Sequence, residues 1–249
     1  MGLPDARIFE RAGLAAWPGI EVDWDDGWVR RAANGYTKRA NSVQCLDPAD
    51  DGEVKARIAH AVAWFTARDL PPVFRMTPLA GPHLAAALDE LGWKTIDASY
   101  QYAMPLAAIE PDPRGQIYAV RDPAFLAVQQ RLADYSDERL GKLDALLAAM
   151  QVPACGVVLY GADGAPVATA LMAIADGIVV TGNVVTDPRQ RRQGHAAAMM
   201  RTGHAWAHAA GARIAALNVQ ADNPAAQALY QSLGYTHQYD YHYRLPGAS

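Results

Sequence analysis

Matched residues recur 142 positions apart along this chain without a gap: Gly52 and Gly194, Trp64 and Trp206, Pro82 and Pro224, Leu91 and Leu233, Gly92 and Gly234. No other feature constrains the fold as strongly, because a unit that recurs must be one that a single pattern can build twice. Alanine matches are discounted in so alanine-rich a sequence. The tryptophan and the Leu-Gly-aromatic endings (Leu91-Gly92-Trp93 and Leu233-Gly234-Tyr235) carry the case. A length of 249 residues accommodates two small domains. PLAAIEPDPRG at 105–115 reads as their junction, so residues 1–110 and 111–249 are expected to be two related halves.

The C-terminal half has the clearer pattern. QIYAV (116–120) reads as a strand, followed by helical spacing over 123–134 and 137–150. Strands are expected at Val157–Tyr160 and Val167–Ala175, joined through the Asp-Gly of GADGAP, and at the β-branched Ile178–Thr186. A helix over 195–210, a strand over 213–219, a helix over 223–233 and a strand over 235–245 complete the order β-αα-βββ-α-β-α-β. That order predicts an α/β (α+β) fold, a mixed sheet covered by helices. The N-terminal half echoes it more weakly: strands at Glu21–Arg31, Ser42–Leu46, Val73–Thr77 and Thr95–Met104, and helices at Glu53–Ala67 and Pro82–Leu91.

Composition removes several functional classes. Hydrophobic residues make up 51% and charged residues 19%, enough for a packed core. A net charge of −4 argues against general nucleic-acid binding, so any bound anion needs a local basic feature. Cys45 and Cys155 stand far apart without metal-ligand spacing, and neither a disulfide framework nor a metal site is expected. No signal-peptide pattern and no membrane-length apolar run appear, which predicts a soluble cytoplasmic protein with no membrane partner.

The local basic feature lies between the Ile178–Thr186 strand and the following helix, in Asp187-Pro188-Arg189-Gln190-Arg191-Arg192-Gln193-Gly194-His195-Ala196. Backbone N–H groups at a helix start lack intrahelical acceptors, and the helix dipole adds about half a positive charge there. Gly194 and Ala196 allow close approach to the backbone, and Arg189, Arg191 and Arg192 supply charge for a diphosphate. Neither GxxxxGK[ST], nor GxGxxG after a strand, nor GxSxG is present, which excludes the commoner phosphate and hydrolase motifs.

The stretch Arg191-Arg192-Gln193-Gly194-His195-Ala196 resembles the coenzyme A-binding core R/Q-x-x-G-x-G/A of the GCN5-related N-acetyltransferase (GNAT) superfamily. Asn223 through Tyr230 to Gly234-Tyr235 resembles that family's second signature, at the right distance downstream. The resemblance spans about residues 115–246; the N-terminal half resembles only the end of the fold, as in tandem GNAT proteins. It implies an acetyl-CoA co-substrate, an amine acceptor attacking the thioester directly, and an N-acetyltransferase fold. By the same resemblance, the backbone of Val184, Val185 and Thr186 pairs with the pantetheine arm, and Asn223 contacts it. Arg191, Arg192, Gln193, Gly194, His195 and Ala196 hold the diphosphate. Tyr230 protonates the departing thiolate, although a phenol of pKa about 10 donates to a thiolate of about 8.5 only with local help.

Other residues leave alternatives open. Thr181, Asn183 and Thr186 are the polar residues of the motif strand and none is a base, so Asp134, Asp137 and Glu138 are the candidates. His204 and His208 share a helix face at i,i+4 but lack a third ligand, and are read as solvent-facing. Alternation puts Tyr235, His237, Tyr239, Tyr241 and Tyr243 on one face, as core packing or as an acceptor wall. Arg30, Arg31, Tyr36, Lys38 and Arg39 form a basic segment, either a solvated edge or a patch facing the acceptor. A non-catalytic acyl-CoA sensor, or a transferase with another acyl donor or acceptor, are the competing functions. The acceptor and the oligomeric state are not written in the sequence.

Overall fold

The computed structural model describes residues 2–247. Helix α1 (Ala6–Ala16) opens the chain, started by Asp5, whose carboxylate accepts from the Ile8 N–H. The sequence reading missed this helix. A hairpin follows, β1 (Glu21–Asp25) and β2 (Trp28–Ala32), where one strand over 21–31 was expected. Asp26-Gly27 turns the chain, with Asp26 at φ +50°, and this Asp-Gly pair is the signal that the strand assignment overlooked. Then come β3 (Val43–Cys45), α2 (Val54–Thr66), β4 (Phe74–Met76), α3 (Pro82–Glu90) and β5 (Lys94–Pro105).

The second half runs β6 (Gly115–Tyr118), α4 (Pro123–Ala133), α5 (Asp137–Ala148), β7 (Ala154–Tyr160), β8 (Pro166–Ala175) and β9 (Ile178–Thr186). It ends with α6 (His195–Ala209), β10 (Ile214–Gln220), α7 (Pro224–Ser232) and β11 (Thr236–Leu245). Helices α3 and α7, each with proline at its first position, begin and end 142 residues apart.

All eleven strands form one mixed sheet in the order β1-β2-β3-β4-β11-β5-β10-β9-β8-β7-β6. Only β3/β4 and β9/β10 are parallel. At the centre the two long strands change places: β11 lies between β4 and β5, and β5 lies between β11 and β10. Each half's last strand thus pairs with the other half's penultimate strand, antiparallel in both cases.

Helices α6 and α7 cover one face of the second half through a core that includes Tyr102, Met199, Leu217 and Tyr230. On the other face α1 packs against β8 and β9 through Phe9, Ala12 and Ala16, and α4 and α5 pack through Phe125, Leu143 and Leu146. β11 does not keep the expected alternation. A slip in its pairing with β5 between His237 and Tyr239 reverses the side chains. His237 is exposed beside Tyr100 and Tyr102, whereas Tyr239, Tyr241 and Tyr243 are buried on the α1 face and Tyr235 belongs to the α6 side.

Candidate active site

β9 and β10 pair only over Ile178–Thr181 and Ile214–Leu217. Past Thr181, β9 stays with β8 while β10 stays with β5, and the two strands diverge. A bulge drives the separation: Asn183 and Val184 of β9 stand opposite the single residue Ala170 of β8. Asn183 takes φ +48°, which few residue types other than asparagine and glycine accept cheaply. Val184, Val185 and Thr186 therefore line a gap in the sheet with no β10 partner, and all three are half-buried.

The basic turn begins where this strand ends. Asp187 is buried and accepts from both the N–H and the guanidinium of Arg189, the latter at 2.9 Å. The Arg189 contact holds the Asp187 carboxyl at about 2. Arg189 is thereby committed to a carboxylate, which corrects the expectation that it adds free charge. Arg191, Arg192, Gln193 and Gly194 are exposed. Arg192 at φ +62° and Gly194 at φ +77° fold the backbone into the start of α6, where Gly194 is the N-cap. The Ala198 N–H donates to the Gly194 carbonyl, so the N–H groups of the preceding first turn point out of the helix end. His195 is buried, with neither ring nitrogen hydrogen-bonded among the described residues, and Ala196 is half-buried.

Asn223 caps α7, its side chain accepting from the Ala226 N–H, and lies exposed. About two turns on, Tyr230 is buried in the apolar cluster that Val184 also touches, with its ring edge-on to Tyr235 at 5.9 Å. Burial pushes the Tyr230 phenol up to about 12. His204 is not solvent-facing as expected: it is buried and 2.8 Å from the Tyr235 hydroxyl, and burial pulls it down to about 4. Among the described residues no group of three or more His, Cys, Asp or Glu side chains is placed to hold a metal ion.

Across the sheet from α6, the bulge meets the N-terminal half. The Asn183 amide donates to the Tyr36 hydroxyl at 2.9 Å. At Gly182, where the strands part, an added Cβ would lie 3.2 Å from Nη2 of Arg39 and 3.5 Å from the Trp17 ring. Beside them opens a cleft of about 550 Å³ walled by Tyr36, Arg39, Asp97, Arg139, Gln220 and Tyr241, drawn from both halves. Asp97, Arg139 and Gln220 carried no signal in the sequence, since they meet only through the sheet. Asp134, Asp137 and Glu138 do not line the cleft. Asp137 accepts from Gln130, and Glu138 pairs with Lys142 at 2.7 Å. The basic segment is no solvated edge either, for Arg30 and Arg31 are buried.

The family described as "Probable histone acetyltransferase Rv0428c C-terminal" matches residues 4–244. The chain is 25% identical over 250 residues to an uncharacterized N-acetyltransferase, YobR, of Bacillus subtilis, covering 98% of this chain and 99% of that protein. Among solved structures, a GCN5-related N-acetyltransferase from Kribbella flavida superposes with a TM-score of 0.75 at 21% identity, over 100% of this chain and 98% of that one. A tandem GNAT protein from the clavulanic acid biosynthesis pathway superposes with a TM-score of 0.60 at 15% identity, over 84% of this chain and 76% of that one.

Proposed function

From the premise that this chain belongs to the Rv0428c C-terminal family of acetyltransferases, within the GNAT superfamily, we propose that it moves an acetyl group from acetyl-CoA to a primary amine by direct attack. The observation that carries this reading is the gap between β9 and β10. It opens past Thr181 on the strand that runs into the basic turn, and Gly182, at its start, lies against Arg39 of the cleft. One substrate enters from each side and the reacting atoms meet at the bulge.

On the α6 side, the outward N–H groups of the turn, with Arg191, Arg192 and Gln193, hold the diphosphate. Gly194 lets it approach the backbone, and the unpaired nitrogens of His195 and the small Ala196 border the same place. The free edge of Val184, Val185 and Thr186 offers backbone hydrogen bonds to the pantetheine amides, and Asn223 borders that arm. The acceptor nitrogen bonds to the thioester carbon, the carbon–sulfur bond breaks to release the thiolate of CoA, and the proton that the nitrogen loses goes to solvent water, which in turn protonates the thiolate. Tyr230 then serves the sulfur. With the phenol at about 12, complete transfer to a thiolate of about 8.5 would cost roughly 5 kcal/mol. Tyr230 thus acts as a hydrogen-bond donor while charge builds, and the same apolar surroundings raise the basicity of the sulfur.

We propose further that residues 1–110 are a degenerate copy of the fold in 111–249, with the last strands exchanged. The matching spans of α3 and α7 and the crossed β5 and β11 support this. In the N-terminal copy the place of the basic turn is acidic and already occupied. Asp51 accepts from the His83 and Leu84 N–H groups at the start of α3, and Asp50 binds Arg57 and the Gly27 N–H. That copy is assigned no CoA.

Incubation with acetyl-CoA and a set of primary amines, with release of the free thiol followed, tests the assignment. Amine-dependent release is expected. Saturable acetyl-CoA binding with no release on any amine would instead indicate a sensor.

A further inference from the structure

Resting on the assignment of the cross-sheet cleft to the acceptor, we infer that the acceptor carries an oxyanion, a carboxylate or a phosphate, which Arg39 and Arg139 bind. Among the described residues neither guanidinium lies within ion-pair distance of a carboxylate. Aromatic faces hold them instead: Arg39 stacks on Trp17 at 4.5 Å, and Arg139 lies 4.9 Å from the Tyr135 ring and 5.3 Å from Tyr36. An arginine fixed by its face keeps its N–H edge for a planar two-oxygen partner.

Charge around the cleft points the same way. Its walls carry Lys38, Arg39 and Arg139 against the single carboxylate Asp97, which Lys38 already engages at 2.8 Å. Behind Arg39, Arg31 and Arg75 share one buried acid with it, Glu10. That acid is fully used: Arg75 contacts both its oxygens at 3.0 and 3.1 Å, and Tyr239 and Gln44 donate to it at 2.6 Å each. Arg31 is buried, holds the carbonyls of Trp17 and Arg39, and leaves its Nε unpaired. Burial, with Arg75 next, draws Arg31 down to about 9. Uncompensated buried cations are costly, and an anion seated at Arg39 offsets them. The whole chain carries −4, so this positive cleft is a local feature rather than a general one.

The geometry also places the anion relative to the chemistry. Arg39 sits against Gly182, where β9 and β10 part, and Arg139 stands across the cleft on α5. An amine whose oxyanion engages the pair presents its nitrogen at the gap. A polycationic peptide meets three positive side chains there and is repelled.

Calorimetry on the full chain with CoA present, using matched probes, tests this. The probes are an amino acid and its amide, an aminoalkyl phosphate and its alcohol, and a lysine-rich peptide. The anionic member of at least one pair should bind about ten- to a hundredfold tighter than its neutral partner. The pair that shows the preference identifies carboxylate or phosphate. Arg39→Gln should abolish the preference, and Arg139→Gln, at an exposed helix position that the fold does not depend on, should reduce it. Equal binding within both pairs, tighter binding of the peptide, or an unchanged preference in Arg139→Gln would overturn the inference. Thiol release measured in parallel separates the two claims. Anion-selective binding without acetyl transfer leaves Arg39 and Arg139 as an oxyanion site but removes the transferase reading and with it the ligand's role as acceptor. Transfer to neutral amines as fast as to anionic ones does the reverse.

Discussion

Tyr230 shows how burial chooses a chemical role. Burial lifts its phenol to about 12, so it is protonated at every pH at which the protein would be assayed and is suited to donate rather than to accept. Tyr230→Phe should lower turnover by about 10²–10³-fold while acetyl-CoA affinity holds, because a hydrogen-bond donor to the developing charge is lost but the ring and its packing remain. Steady-state kinetics beside calorimetry decide it, and unchanged turnover would remove Tyr230 from the mechanism. Turnover of the intact protein should also show no falling limb from this group up to pH 10. His204 is perturbed in the opposite sense, drawn from its ordinary 6.5 to about 4 by burial. Its folded pKa lies below the unfolded one, so acid protonates the unfolded chain first, and stability is lost as pH falls from about 6.5 towards 4. Between pH 7 and pH 5 this costs roughly 2 kcal/mol. Denaturant unfolding at the two pH values should show that loss shrinking in His204→Gln. An identical loss in the variant would mean that His204 is not held neutral.

The gap between β9 and β10 opens at one bulge, and elements of this kind mark the limit of what the sequence discloses. Ile178–Thr186 was legible to the residue from its β-branched pattern, and the basic turn and the start of α6 from Gly194. That Asn183 would double up opposite Ala170 was not, since a bulge is settled by pairing with a strand elsewhere in the chain. The slip at Gln238 misled for the same reason, turning an apparent single tyrosine face into two. Helix α1 went unseen although Asp5 caps it, because a reading led by the repeat finds no second copy of it. The region between α4 and α5 supplied the candidate bases Asp134, Asp137 and Glu138, yet the residue near it that lines the cleft is Arg139, on α5. Asp134→Asn, Asp137→Asn and Glu138→Gln are accordingly expected to keep turnover within a few-fold of the parent, at a position where a true general base would cost 10²–10⁴-fold. Loss of activity in one of them, with acetyl-CoA binding intact, would identify the base and refute this expectation.

For the molecule as a whole, the crossed strands mean that neither half is self-contained. Without β11, β4 ends at an open edge, and without β5 so does the longer β10, each leaving unpaired backbone beside its core. Residues 1–110 and 111–249 produced separately should each fail to give a cooperative unfolding transition, and should recover one when co-expressed. A cooperative transition from 111–249 alone would show that the exchange is dispensable. The repeat marked the matching spans of α3 and α7, but the crossing of β5 and β11 and the cleft were not legible, because both arise only when residues 1–110 meet residues 111–249. The two helix starts differ in charge, with exposed arginines at the start of α6 and committed carboxylates beside α2 and α3, and the proposed single CoA site rests on that difference. Titration calorimetry of the full chain with acetyl-CoA measures that asymmetry most directly. One site per chain is expected, with binding abolished by Arg191→Glu combined with Arg192→Glu. Two equivalent sites, or binding that survives the double charge reversal, would contradict it.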